Sequence, residues 1–228
     1  MLIEIPGVLD ADQLHRVRTA LVARDDAWVD GRVTAGHQGA QVKHNRQVDE
    51  RNPIARELGD MILASLERNP RFISAALPNR VYPPMFNRYD VGMQFGSHVD
   101  GAVRLVPQSG AKIRTDLSAT LFLSAADTYD GGEMIIEDTY GVHGVKLPAG
   151  HLVVYPASSL HKVAPVTRGT RYASFFWVQS LVRDDTQRTL LFDLDNAIQR
   201  LAATGGDEGA RMHLTGCYHN LLRMWSDV

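Results

Sequence analysis

The chain has 228 residues, enough for one large domain or one domain with a small appendage. Apolar residues make up 44% of it and the formal net charge is −2, which excludes the clustered basic excess of a broad nucleic-acid interface. The single cysteine, Cys217, excludes an internal disulfide and a Cys-rich zinc site.

No stretch approaches the roughly 18 apolar residues of a membrane span. Residues 1–6 lack the basic start and apolar run of a signal peptide, so the expected location is the cytoplasm.

Asp10, followed three positions later by Gln13, predicts a helix start through a capping box, and Leu14, Val17 and Leu21 then share one face. Residues 30–45 show little periodicity and are expected to be irregular or extended. A second helix starts at Asn52 and Pro53, carries Leu58, Ile62 and Leu66 at helical spacing, and closes at Asn69-Pro70.

From residue 81 to about 180 the pattern turns to short β-like runs between turns. These are residues 118–123, 133–137 after Asp130-Gly131-Gly132, 152–155 after Pro148-Ala149-Gly150, and 171–178. This count of strands predicts a double-sheet jelly roll, a mainly β fold with flanking helices.

The last 45 residues return to helix. Leu190, Leu191, Leu194, Ile198 and Leu201 share one face, and Met212, Tyr218, Leu221 and Trp225 mark another helix. Cys217 is expected to be buried and inert there, with Trp28 and Trp225 in the core. The organisation expected is one large domain over 1–180, with helices in 1–80 and the jelly-roll core in 81–180, then a small helical cap over 181–228. Apolar faces on the end helices permit a homodimer.

His98 and Asp100 lie two positions apart, so in an extended segment both side chains point to one face. His161 follows the apolar run ending at Tyr155 and is the candidate third ligand. Two imidazoles and one carboxylate on one face of an octahedron leave three open positions, the facial arrangement of oxygen-activating Fe(II). Taken alone, His-x-Asp is more often a pair of solvated polar residues.

Arg171 lies ten residues after His161, beyond the turn at 166–170. The expectation is that His161 ends one strand and Arg171 begins the next, antiparallel to it. Arg171, Ala173, Phe175 and Trp177 would then face one way, and an inward arginine can grip a carboxylate through two parallel hydrogen bonds. Arg168 is assigned to solvent.

Several further stretches carry a resemblance. They are 87–100 (Asn87-Arg88-Tyr89 through His98-Val99-Asp100), 117–124, Tyr129-Asp130-Gly131-Gly132-Glu133, 156–161 and 171–177. Together they resemble the Fe(II)/2-oxoglutarate-dependent dioxygenases. The branch is the prolyl 4-hydroxylase-like one, and within it the PKHD-type hydroxylases, some of which are linked to iron uptake.

The resemblance implies a double-stranded β-helix that uses Fe(II), 2-oxoglutarate and O2, with L-ascorbate as a supporting reductant. It implies His98, Asp100 and His161 as metal ligands and Arg171 as the 2-oxoglutarate anchor, with Tyr89 also touching the cosubstrate. The reaction implied is hydroxylation coupled to decarboxylation of 2-oxoglutarate to succinate and CO2. A peptidyl proline, an amino acid and a siderophore-like molecule all fit as substrates. Where relatives carry a tyrosine for the distal carboxylate, this chain has Phe122, and Thr120 or Ser118 is the expected compensation.

Two other readings compete: a non-catalytic iron or 2-oxoglutarate sensor, and a zinc-dependent cupin-like enzyme. The loop at 101–115, with Arg104, Lys112 and Arg114, is a candidate substrate lid. His37 and His44 are candidates for a substrate channel, whereas His143 and His151 are assigned to exposed turns.

Overall fold

The computed structural model describes residues 1–106, 109–138 and 141–228. Two antiparallel sheets face each other as a jelly roll, the double-stranded β-helix. The larger sheet runs in spatial order through Ile3–Ile5, Leu152–Pro156, Leu117–Phe122, Arg171–Ser180, Met85–Tyr89, Arg46–Val48 and Trp28–Asp30. Pro78–Val81 also pairs with the long strand Arg171–Ser180. The smaller sheet runs through Gly141–Val145, Met134–Asp138, Leu160–Val163, Gln94–His98 and Lys43–His44.

Strand periodicity decides what each face does. In Leu117–Phe122, the side chains of Leu117, Ala119 and Leu121 join the core under the N-terminal helices. Ser118, Thr120 and Phe122 turn the other way, towards the smaller sheet. The helix Ala11–Ala23 starts at the Asp10 and Gln13 capping box and buries Val17 and Leu21. The helix Pro53–Leu66, capped by Asn52, buries Leu58, Ile62 and Leu66 against the same sheet. Each of these side chains contributes roughly 1.5–3 kcal/mol by leaving water. The helices therefore hold the back of the larger sheet and leave its front free to line a cavity.

Several expectations are corrected. Residues 30–45 hold real elements: a 3-10 turn at Gly31–Thr34, a helix at His37–Val42 and the edge strand Lys43–His44. Their spans are too short to show a period in sequence. The second helix does end before Asn69-Pro70, at Leu66, but Asn69 then caps a further helix, Pro70–Ala76. The 101–115 segment contains a β-hairpin pairing Val103–Leu105 with Lys112–Arg114, and residues 107 and 108 of it lie outside the described residues.

His161 lies inside Leu160–Val163, and this strand belongs to the smaller sheet whereas Arg171 begins a strand of the larger one. The two strands face each other across the barrel and do not pair, because the chain changes sheets between them through Val166–Arg168, which pairs with Asp130–Gly131.

The C-terminal helices Asp185–Ala203 and Glu208–Trp225 pack beside the barrel. Tyr218, Leu221 and Trp225 close over Leu77, Val182 and Leu191. Arg188 fixes the start of this unit: buried, it donates to the carbonyls of Val182 and Arg183 at 2.7 Å each and to Asp185 at 3.0 Å. Cys217 is exposed, contrary to expectation, as are Leu190 and Met212, because these positions turn away from the narrow packed stripe. Among the described residues no helix is long and apolar enough to cross a membrane.

Candidate active site

A cavity of about 480 Å³ opens between the two sheets at one end of the barrel. His98, the last residue of Gln94–His98, stands directly opposite His161 on the neighbouring antiparallel strand. Strand pairing thus sets the distance between the two imidazoles, whose ring centroids are 4.2 Å apart. Asp100 lies just past the strand end, not within it as the i and i+2 argument assumed. Its carboxylate is placed by Ser118 of the opposite sheet, whose hydroxyl donates to Oδ2 at 2.6 Å. Asp100 Oδ2 lies 3.6 Å from His161 Nε2, and Oδ1 lies 4.0 Å from His98 Nε2. One ligand atom from each of the three residues falls within 4.8 Å of the other two.

The nitrogens facing the cluster are fixed by what the opposite nitrogens do. His98 Nδ1 donates to the Gly96 carbonyl at 2.8 Å, and His161 Nδ1 to the Ser159 carbonyl at 2.9 Å. Both Nε2 lone pairs therefore point inward, as metal binding requires. Burial, then the neighbouring His161, holds the His98 pKa down to about 4, so its ring is neutral at neutral pH. The Phe95 ring stacks on His98 at 3.6 Å between centroids and 15° between planes, fixing its tilt. Two neutral imidazoles and a carboxylate converging from one side suit a divalent transition metal with open positions.

Arg171 lies deeper in the same cavity and is only 1% exposed. It stands opposite Tyr89 in the strand register. Among the described residues, none of its three guanidinium nitrogens has a hydrogen-bond partner. Its charge rests over the rings of Tyr89 and Phe122, at 5.4 and 5.2 Å from their centroids. A buried cation without an acceptor is costly unless a ligand supplies one. A carboxylate entering past the His98, Asp100 and His161 cluster would meet it.

Besides Thr120, which lines the cavity as expected, the hydroxyl missing at Phe122 has a second nearby source. Ser118 is committed to Asp100. Tyr129, fully buried, has an unpartnered hydroxyl, and its phenol is pushed up by burial while the adjacent Arg171 charge pulls it partway back. Gly132 makes this approach possible. Its φ is +66°, and a Cβ there would lie 3.0 Å from Arg171 Cδ and 3.2 Å from Tyr129 Cε2. The Gly131-Gly132 pair is thus a packing device as well as a turn.

Tyr89 lines the cavity, and burial pushes its phenol up to about 12. Tyr155 sits edge-on to His161 at 5.2 Å, its phenol held well above the ordinary value by burial and by the charge of Asp100. Both stay neutral donors at any working pH. His37 lines the cavity, whereas His44 is exposed and does not. Arg104 lines it too, but Arg114 turns away to Asp116 at 2.7 Å. No sequence spacing marks Phe95, Tyr129 or Tyr155, because each reaches the site from a different turn of the barrel.

This fold and donor set define a class, the 2OG-Fe(II) oxygenases. Residues 84–179 match the 2OG-Fe(II) oxygenase superfamily, and residues 185–227 match the PKHD-type hydroxylase C-terminal domain. A PKHD-type hydroxylase of Paraburkholderia phymatum is 69% identical over 228 residues, covering 100% of both chains. Another, of Cupriavidus pinatubonensis, is 67% identical over the same full lengths. The crystal structure of a Pseudomonas putida prolyl-4-hydroxylase shares the fold with a TM-score of 0.54 at 19% identity, covering 78% of this chain and 92% of that one. The chain belongs to the PKHD-type hydroxylases, a family of 2OG-Fe(II) oxygenases, and it is an enzyme whose family uses Fe(II), 2-oxoglutarate and O2.

Proposed function

We propose that His98, Asp100 and His161 hold the iron and that Arg171 receives the distal carboxylate of 2-oxoglutarate, with Tyr89 beside it. The supporting observation is the buried Arg171 guanidinium, bare of any partner and facing the same cavity as the His-Asp-His cluster. A zinc reading leaves that combination without a purpose, and a sensor would bind 2-oxoglutarate at the same residues without releasing succinate.

Bound iron supplies oxygen activation, coupled to decarboxylation of 2-oxoglutarate to succinate and CO2. The residues of the chain orient and exclude. Ser118 keeps Asp100 turned inward through its hydroxyl proton. The Gly96 and Ser159 carbonyls hold the protons on both Nδ1 atoms, so neither ring presents a proton to the metal side. Phe95, Met134 and Val163 wall the cavity with apolar surface that keeps bulk water from the reacting carbon. Arg171, with Tyr89 and Tyr129, sets how deeply the cosubstrate seats.

The product is a hydroxylated C–H position on a small-molecule or peptide substrate. The ascorbate requirement and the link to iron uptake are supported by the family resemblance. The test is succinate release from 2-oxoglutarate with Fe(II) under air, together with calorimetric 2-oxoglutarate binding to the Mn(II)-loaded protein. Asp100→Ala is expected to abolish succinate release. An Asp100→Ala protein with unchanged turnover would refute the ligand assignment, and turnover with Zn(II) alone would refute the iron reading.

A further inference from the structure

Beyond His98, Asp100 and His161, the cavity carries a second cationic group of residues. Lys43, only 6% exposed, projects from the edge strand Lys43–His44 into the cavity. Its ammonium donates to Gln47 Oε1 at 2.8 Å and Thr34 Oγ1 at 3.2 Å, both neutral acceptors. It lies 5.1 Å from the Phe95 ring centroid and 5.8 Å from that of Phe175. Phe175 meets Trp177 edge-on at 5.6 Å, and Arg104 stacks on Trp177 at 4.0 Å. Lys43, Phe175, Trp177 and Arg104 thus form one continuous wall. Neither cation has a carboxylate at ion-pair distance among the described residues. Arg104 Nε and Trp177 Nε1 are buried without an acceptor among the described residues.

Charge balance separates this wall from the cosubstrate end. The two positive charges of ferrous iron and the one on Arg171 are matched by the Asp100 carboxylate and the two carboxylates of 2-oxoglutarate. Lys43 and Arg104 are left over. Placing a buried ammonium beside a half-buried guanidinium on an aromatic wall is unfavourable unless an anion joins them. The repulsion is visible in Lys43 itself, whose pKa is lowered to about 7 by burial first and by Arg104 second, against weaker opposing pulls from Asp100, Asp30 and Glu50.

Resting on the hydroxylase reading above, we infer that the substrate is a small anionic molecule. Its carboxylate would be held between Lys43 and Arg104, with the Trp177 indole N–H as a third donor, and its apolar or aromatic body would lie along Phe175 and Trp177. The Phe95 ring touches both groups, stacking on His98 at 3.6 Å with Lys43 Nζ 5.1 Å from its centroid, so a substrate anchored at Lys43 lies within reach of the metal cluster. The anion then selects the substrate and the aromatic wall sets which carbon faces the iron.

The test uses benzoate and its neutral counterpart benzamide as probes. Each is titrated calorimetrically into Mn(II)-loaded protein already saturated with 2-oxoglutarate, so that Arg171 is occupied. Benzoate is expected to bind at least about tenfold more tightly than benzamide, the scale of one charge-assisted contact. Lys43→Met and Arg104→Gln are each expected to bring the two probes to within about twofold of one another while 2-oxoglutarate affinity stays level. Arg104 is half-buried on an otherwise exposed hairpin strand, so Arg104→Gln keeps the test readable if Lys43→Met does not fold.

Equal binding of the two probes, no benzoate binding, or a preference that survives in both variants would overturn the inference; the last would place benzoate on the metal. The preceding 2-oxoglutarate titration separates the two readings. Failure there sinks the cosubstrate assignment, whereas the benzoate comparison reads only Lys43 and Arg104.

Discussion

Arg171 and Lys43 are two buried cations lining one cavity, and the fold supports them differently. Arg171 has no carboxylate partner among the described residues and leans on the faces of Tyr89 and Phe122, with the Tyr129 hydroxyl beside it. Lys43 has two neutral acceptors, and its pKa falls to about 7. A guanidinium cannot shed its proton, so the Arg171 end is completed only by an incoming anion. An ammonium can, so the Lys43 end tolerates being empty. The cosubstrate end is built as a fixed receptor and the outer end as an adjustable one.

The sharpest way to break this contrast is Arg171→Met. Losing a bidentate, charge-assisted contact is expected to weaken 2-oxoglutarate binding by about 100-fold or more. The same change removes an uncompensated buried charge, so without 2-oxoglutarate the variant should melt at a higher temperature than the parent. Calorimetric affinity and a thermal melt check the two halves. A lower melting temperature without ligand would show that Arg171 has support the structure does not record.

Next in size is Ser118→Ala. The Ser118 hydroxyl is the contact that aims Asp100 from the opposite sheet. Loss of such an orienting partner is expected to weaken Mn(II) or Fe(II) binding by about tenfold while leaving 2-oxoglutarate recognition at Arg171 in place. A competition titration against a metal indicator measures it, and unchanged metal affinity would show that the turn after His98 holds Asp100 unaided.

Much of this was readable from the chain, and what escaped shares a cause. His98 and Asp100 announce themselves by a spacing of two, and Asp10, Asn52 and Gly132 by local backbone chemistry. Strand runs with apolar alternation gave the jelly roll. Which sheet each strand joins was not legible, and His161 and Arg171, expected on successive antiparallel strands, fall in opposite sheets with Val166–Arg168 between them, because pairing depends on contacts far apart in sequence. Lys43 and Tyr129 escaped for the same reason. Each has an ordinary local setting and becomes informative only when the barrel brings Arg104 to one and Arg171 to the other. Cys217 was misjudged because an apolar helix face does not say how wide a stripe the neighbouring helix covers.

Tyr129→Phe sharpens the fixed end of the cavity. Its hydroxyl has no partner and lies beside Arg171 where Phe122 can offer none. If it donates to the same carboxylate, its loss should cost about 1 kcal/mol, or about fivefold in 2-oxoglutarate affinity. Equal affinity for parent and variant would leave Arg171 as the sole anchor.

The smallest expected effect tests the adjustable end, and it appears as a slope. In the unfolded chain Lys43 keeps its proton up to its ordinary value of 10.5, whereas in the folded protein burial releases it at about 7. Between those values the unfolded state binds more protons, so this group makes stability rise with pH from about 7 to about 10.5 and adds no slope below about 7. Lys43→Met removes the difference. Urea midpoints of parent and variant, without metal or 2-oxoglutarate, should therefore diverge in slope between pH about 7 and pH about 9, the parent gaining stability relative to the variant. Benzoate bound at the outer end would restore the proton and flatten the parent's slope towards that of Lys43→Met. Parallel slopes in its absence would mean that Lys43 stays charged on folding, and the two ends of the cavity would then be receptors of the same kind.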